Sequence, residues 1–161
     1  MTRSIVEQAH DFYDSVPYEV PVPDTCLYEL LETTARLYPQ RVALDYFGAT
    51  TTYAQVRDQV ARVLHEAGVR AGDTVAIALP NCPQAFVAFY ACMRIGAVAA
   101  QHNPLAPAAQ IDGQIMRHGG RVAIVWEKCV DAFPLDRLDT VFTVDISYGM
   151  PTSQRFLLKL P

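Results

Sequence analysis

Apolar residues recur along this chain with two different periods, and each change of period marks an element. Leu27, Leu30, Leu31, Thr34 and Tyr38 fall at helical spacing and make one face. Asp24 or Thr25 stands where an N-cap is expected, Glu29 and Glu32 occupy the early turns, where negative charge suits the helix dipole, and Pro39 is the stop. Residues 42–46 (Val-Ala-Leu-Asp-Tyr) read as a strand, Phe47-Gly48-Ala49 as a turn, and Thr50-Thr51 as a short returning strand, which makes a hairpin. Thr52 is placed to cap a second helix. Its apolar face would be Tyr53, Val56, Val60, Val63, Leu64 and Ala67, its polar face Gln55, Arg57, Asp58, Gln59, Arg62 and Glu66, and its C′ residue Gly68.

From residue 74 the pattern changes to continuous apolar runs. Residues 74–79 form a run expected of a strand covered on both faces. Residues 83–95 predict a helix apolar nearly all round (Phe86, Val87, Phe89, Tyr90, Met93), as in a sandwiched element. A strand over 98–101, a helix over 107–119 with Ile111 and Ile115 inward, and strands over 122–125 and 140–144 follow, and a last helix spans 152–160. Strand, helix, strand, helix, strand is the signature of a parallel βαβαβ unit with right-handed crossovers. The expected fold is therefore α/β: a mostly parallel sheet flanked by helices, with an N-terminal hairpin. Residues 1–23, with prolines at 17, 21 and 23, read as a leader lying along a surface, with a short helix over 5–13. Residues 24–161 read as one unit.

Composition agrees with a folded domain. A chain of 161 residues, 51% apolar and only 19% charged, is too apolar for intrinsic disorder. The net charge of −4 comes from 13 scattered basic residues against 17 acidic ones, so no basic stripe marks a nucleic-acid partner. Pro80, Asn81, Pro83, Gln84 and Arg94 interrupt the apolar stretch 75–100, which argues against a membrane span. Cys26, Cys82, Cys92 and Cys129 form no C-x-x-C pair and have no His at ligand spacing, so they read as reduced, buried thiols of a cytosolic protein and not as a zinc site. The first eight residues contain no apolar signal core.

The expected carboxyl ends of the strands are Leu79-Pro80-Asn81-Cys82-Pro83, Gln101-His102-Asn103-Pro104-Leu105 and Trp126-Glu127-Lys128. None is a catalytic kit. The first turn lacks G-x-G-x-x-G, and no G-x-x-x-x-G-K-[ST] occurs; Gly48-Ala49-Thr50-Thr51-Thr52 has hydroxyls but no lysine. Leu79 and Pro80 stand where a response regulator would carry its phosphoacceptor. Of the histidines, His10 lies in the leader, His65 near a helix end, and His118 in a last turn, where a cation complements the dipole. His102 alone is at a strand end, and no Ser, Cys or acid at matching spacing completes a triad. It reads as structural, as do Asn81 and Asn103 as turn or cap residues and Trp126 as core or interface. No catalytic, cofactor-binding or metal residue is assigned.

Five stretches in series resemble a known family: Thr51-Thr52-Tyr53-Ala54-Gln55-Val56, then Ala67-Gly68-Val69-Arg70-Ala71-Gly72-Asp73-Thr74-Val75-Ala76-Ile77, then Leu79-Pro80-Asn81-Cys82-Pro83, then Ile95-Gly96-Ala97-Val98, and His102-Asn103-Pro104-Leu105. Their order and spacing are similar to the N-terminal part of AMP-forming acyl-CoA synthetases, the adenylate-forming enzymes. Arg121-Val122-Ala123-Ile124-Val125-Trp126 and residues 154–161 resemble the bacterial long-chain fatty-acid branch. Ala106 departs from the pattern, which commonly has an aromatic there. The resemblance implies the first lobe of the large domain. For the parent enzyme it implies a long-chain carboxylate, ATP, Mg²⁺ and coenzyme A, with acyl-adenylate formed first and the thiol then displacing AMP. The family's phosphate loop, adenine and metal motif, ribose-binding Asp and C-terminal lysine have no counterpart in residues 1–161, so the chain alone is expected to be an inactive fragment that binds no cofactor. Two other readings stand beside it: a stand-alone binding or interaction module, and a short enzyme built on His102. For the parent, a cytoplasmic location with peripheral association at the inner membrane face is expected. For the fragment, an exposed apolar patch or a covering homodimer is expected.

Overall fold

The computed structural model describes residues 21–60 and 68–157. The elements are α1 (Leu27–Leu37), β1 (Val42–Tyr46), β2 (Ala49–Thr52), α2 (Tyr53–Val60), β3 (Thr74–Ala78), α3 (Pro83–Ile95), β4 (Val98–Gln101), α4 (Ala108–His118), β5 (Val122–Trp126), β6 (Thr140–Val144) and α5 (Thr152–Leu157). Short 3₁₀ segments span Glu127–Ala132, Leu135–Arg137 and Ile146–Gly149. The expectations for the leader through residue 20, for His10, Val63, Leu64, His65 and Ala67, and for residues 158–160 lie outside the described residues.

The architecture is α/β. β1 and β2 pair antiparallel, and the other strands form a four-stranded parallel sheet in the order β4-β3-β5-β6. β3 and β5 are the inner strands: β3 sets Val75 opposite Ala99 of β4 on one side and Val122 of β5 on the other, and β6 pairs with the far edge of β5. The alternation along the strands separates two cores. Val75, Ile77 and Ile124 face α3, where Val87, Ala88, Ala91 and Cys92 pack, together with Leu31 of α1 and Val56 and Val60 of α2. Ala76, Ala78, Ala123 and Val125 face Ile111 and Ile115 of α4, with Phe133 closing that side. Three alanines on this second face leave room for the two isoleucines to seat close to the sheet. α3 and α4 therefore cover opposite faces, as a parallel sheet requires.

Local chemistry sets the junctions. Phe47 and Gly48 both have positive φ, at 53° and 87°, and Tyr46 pairs with Ala49, so the turn is a two-residue type I′ hairpin and Ala49 belongs to the strand. The amide of Gly48 donates to Asp45 Oδ1 at 2.9 Å, which supports that turn. Thr52 and Gln55 form a reciprocal capping box: the Gln55 amide donates to Thr52 Oγ1 at 3.3 Å and the Thr52 amide to Gln55 Oε1 at 2.8 Å. α3 opens with Pro83 at its first position, and Gly96 ends it in the left-handed region.

Two expectations are corrected at α1. Its N-cap is Cys26, with no side-chain cap; the Thr25 hydroxyl bonds the Glu29 carboxylate instead. Its inward residues are Leu31 and Ala35, while Leu27 and Leu30 are 42% and 46% exposed. The helix is rotated so that the small Ala35 meets its neighbours, and the leucines at 27 and 30 are left on the flank.

The packing against α4 predicts its own test. Ile111→Ala or Ile115→Ala should lower the unfolding free energy by about 2–5 kcal/mol, read from urea midpoints. Loss below about 1 kcal/mol would show that the second core is not formed as described.

Candidate functional site

The chain leaves β3 toward one face of the sheet and β4 toward the other. Their carboxyl ends therefore part and open a crevice, the place where α/β sheets bind ligands. The cavity there is about 550 Å³. Its floor is Ile77 and Leu79. Phe86, Phe89 and Tyr90 of α3 form an aromatic wall, Leu44, Asp45 and Tyr46 of the hairpin close one end, and Asn81, Gln101 and His102 supply the other polar groups. The rings are in mutual contact, Phe86 to Tyr90 at 4.6 Å and Phe89 to Tyr90 at 5.5 Å between centroids.

The crevice suits an apolar occupant and not a triphosphate. No Lys or Arg lines it, and its one charged residue is the anionic Asp45. Four phosphate charges without a cation at hand would be strongly disfavoured in such a site. Among the described residues no group of three His, Cys, Asp or Glu is placed to hold a metal ion. A second, open groove of about 610 Å³ lies beside β6, between Val87 and Ala88 of α3 and Phe142, Val144 and Met150. Gln84 lines it, and its buried Oε1 has no hydrogen-bond partner, nor does the buried Oγ of Ser147.

The strand-end residues fall out as follows. Asn103 makes a turn, with Oδ1 accepting from the Leu105 amide at 3.0 Å. Asn81 is exposed at the mouth of the crevice. Trp126 is half-buried, with Lys128 Nζ 5.8 Å from its ring centroid. His102 is 8% exposed, and both ring nitrogens are used: Nδ1 lies 2.8 Å from Gln114 Oε1 and Nε2 lies 3.1 Å from His118 Nε2. The Gly120 amide donates to His118 Nδ1 at 3.0 Å.

His118 is thus a correction. It does sit in the last turn of α4, but it is not a cation set against the helix dipole. Burial first, and the neighbouring His102 second, hold its imidazole below the ordinary value. Gln114 and His118 were missed as partners of His102. Their spacing of four on one helix face was the available signal, but nothing in the sequence order places that face beside the end of β4.

All four cysteines are free. Cys82 and Cys92 are buried as expected; Cys26 is exposed and Cys129 half-buried, against the expectation of buried thiols throughout. They lie where the chain is thin, at a helix start and in a 3₁₀ segment. Burial raises the Cys82 thiol and pushes Cys92 to about 11.

Comparison with known proteins assigns the family. The model of the AMP-binding enzyme family matches residues 31–154, most of the chain, and the protein belongs to that family. The long-chain-fatty-acid–CoA ligase of Bacillus subtilis (strain 168) is 25% identical over 93% of this chain and 28% of its own length. The 4-coumarate–CoA ligase-like 9 of Oryza sativa subsp. japonica is 36% identical over 78% of this chain and 24% of its own. Among solved structures, the N-terminal subdomain of Klebsiella oxytoca NpsA, in complex with 3-hydroxyanthranilyl-AMSN, superposes with a TM-score of 0.65 at 26% identity, over 73% of this chain and 30% of that one. The chain thus spans less than a third of each. The fold is that of part of the N-terminal subdomain of adenylate-forming enzymes, and the curated relatives named are acid–CoA ligases.

Alkylation at pH 8 should order the thiols. Cys26 should react first. Cys92, with a thiolate fraction of about one in a thousand, should stay unlabelled until the protein unfolds. Rapid labelling of Cys92 in the folded chain would contradict its place in the first core.

Proposed function

We propose that this chain is the first lobe of a longer acyl-CoA ligase that activates a long-chain fatty acid with ATP and Mg²⁺ and passes the acyl group to coenzyme A. The observation that carries the reading is the family match over residues 31–154, and the lining of the strand-end crevice, which has no Lys or Arg, supports the view that the triphosphate is held elsewhere. The long-chain assignment rests on the likeness to the Bacillus subtilis ligase, which runs over 93% of the chain, and on the resemblance of residues 121–126 and 154–161 to that branch. We further propose that the lobe by itself is inactive, because phosphate binding, metal binding and the catalytic lysine belong to other parts of the family's chain. A cytoplasmic enzyme working at the inner membrane face fits an amphiphilic substrate. No helix among the described residues is long and apolar enough to cross a membrane. Exposed apolar side chains at Leu37, Phe47, Leu105 and Tyr148, each at least 60% accessible, support contact with further protein, either the rest of the ligase or a second copy.

The test is the gene product read onward past codon 161, assayed for AMP release with carboxylates of several classes. Long-chain fatty acids should give the highest kcat/KM, by at least tenfold over acetate and 4-coumarate. A preference for either of those would overturn the long-chain assignment, and AMP release with none of them would overturn the ligase reading.

A further inference from the structure

The bond directions around His102 follow from a single fixed donor. A backbone amide can only donate, so the Gly120 N–H makes His118 Nδ1 an acceptor. In a neutral imidazole the proton then sits on Nε2, which faces His102 Nε2. That nitrogen must accept, so the His102 proton sits on Nδ1 and is donated to Gln114 Oε1. Each ring nitrogen has one partner, and the chain of bonds is complete only when both imidazoles are neutral. A proton added to His118 sets N–H against the Gly120 N–H. A proton added to His102 sets N–H against N–H.

Across the crevice that His102 also lines stand Asp45 and Tyr46 of β1 and Cys82 and Tyr90 at α3; Asp45 Oδ1 accepts from the Gly48 amide at 2.9 Å, and the ring nitrogens of His102 are bonded to Gln114 and His118 instead. From α4, Arg117 lines the same small cleft and is a cation, while Asp112 is engaged by Arg137 at 2.8 Å. From the turn into β5, Arg121 is engaged by Asp139 at 2.6 Å. From the segment after β5, the Phe133 ring approaches at 6.4 Å between centroids, and Cys129 and Val130 belong to the same core. From β4 and its loop come Gln101 and Asn103, both neutral. Among the described residues no carboxylate bonds either ring.

The pair also ties three pieces of chain together. His102 ends β4, and its amide donates to Ile77 O of β3 at 2.9 Å. Gln114 and His118 belong to α4. Gly120 is held so closely that a Cβ there would lie 2.7 Å from Thr74 O and 2.9 Å from His118 Nδ1.

We propose that His102 and His118 form a proton-operated latch, which holds the end of β4 against α4 while both rings are neutral and releases it when one is protonated. The sign follows from linkage. Above the ordinary imidazole value of about 6.5 the latched and released states are both neutral, and closure carries no proton penalty. As pH falls through that value a released His118 takes up a proton that the latched His118, buried, bonded to the Gly120 amide and held below its ordinary value, still refuses. The latch is therefore lost as pH falls, with a slope limited to about tenfold in the opening constant per pH unit for one proton.

Amide hydrogen exchange on the whole 161-residue chain, corrected for intrinsic rates, reads this directly. The opening constants of the Gly120 and His102 amides should be nearly flat from pH 7.5 to about 6.5 and then rise, by about tenfold by pH 5.5. The Tyr38 amide, bonded to Thr34 O at 2.8 Å in α1 and remote from either ring, should not follow them. His118→Asn should lose the pH dependence. Opening constants at Gly120 and His102 that are flat with pH, or that rise equally at Tyr38, would overturn the proposal. Should the variant fail to fold, nitrogen chemical shifts of the unmodified protein decide it at pH 7.5. The latch requires the proton on Nε2 of His118 and on Nδ1 of His102, and an imidazolium or the opposite tautomer at either ring would refute it.

Discussion

Everything in this fold depends on β3 being paired on both sides and covered on both faces. Val75 to Ala78 are all buried, and their backbone is registered against β4 on one side and β5 on the other. A strand in that position cannot use polar side chains, so its run is apolar without alternation. The same placement sends α3 to one face and α4 to the other, because β4 and β5 lie on opposite sides of the strand from which the chain set out. The crevice at the carboxyl ends of β3 and β4 and the histidine pair beside it both follow from that divergence.

Sequence pattern made much of this legible. The continuous runs at 74–79 and 122–125, found as strands over Thr74–Ala78 and Val122–Trp126, the inward Ile111 and Ile115, and the hairpin with its glycine are local signals that tertiary packing only reinforces. Thr52 as a cap was legible too, because capping chemistry is settled within four residues. The facing of α1 was not. Leucine at 27, 30 and 31 suggested an inward stripe, whereas packing kept Leu31, added the small Ala35 and left Leu27 and Leu30 on the flank. His118 shows the same limit in electrostatics. Its place in a last turn argued for a cation, but burial beside a second imidazole outweighs a helix-terminus effect of a few tenths to about 1 kcal/mol.

The candidate site was legible mainly in what it lacks. The carboxyl ends of β3 and β4, residues 79–83 and 101–105, contain no glycine-rich turn and no lysine, and the crevice built from them is walled by aromatic rings with a single carboxylate and no cation. Such a surface can receive apolar groups or protein, while nucleotide chemistry needs cations and oriented donors supplied from elsewhere. The family match explains how both can be true, since the chain corresponds to less than a third of its relatives' length. On the proposed reading, the chain is a frame that positions an active site whose reacting groups lie elsewhere.

That division of labour is the central claim, and calorimetric titration of the purified 161-residue chain with Mg²⁺-ATP tests it most directly. The account predicts no saturable heat at millimolar nucleotide, because no part of the crevice offsets the triphosphate charge. Saturable one-to-one binding in the micromolar range would contradict it, and would mean that the lobe holds a nucleotide site that its charge distribution does not reveal.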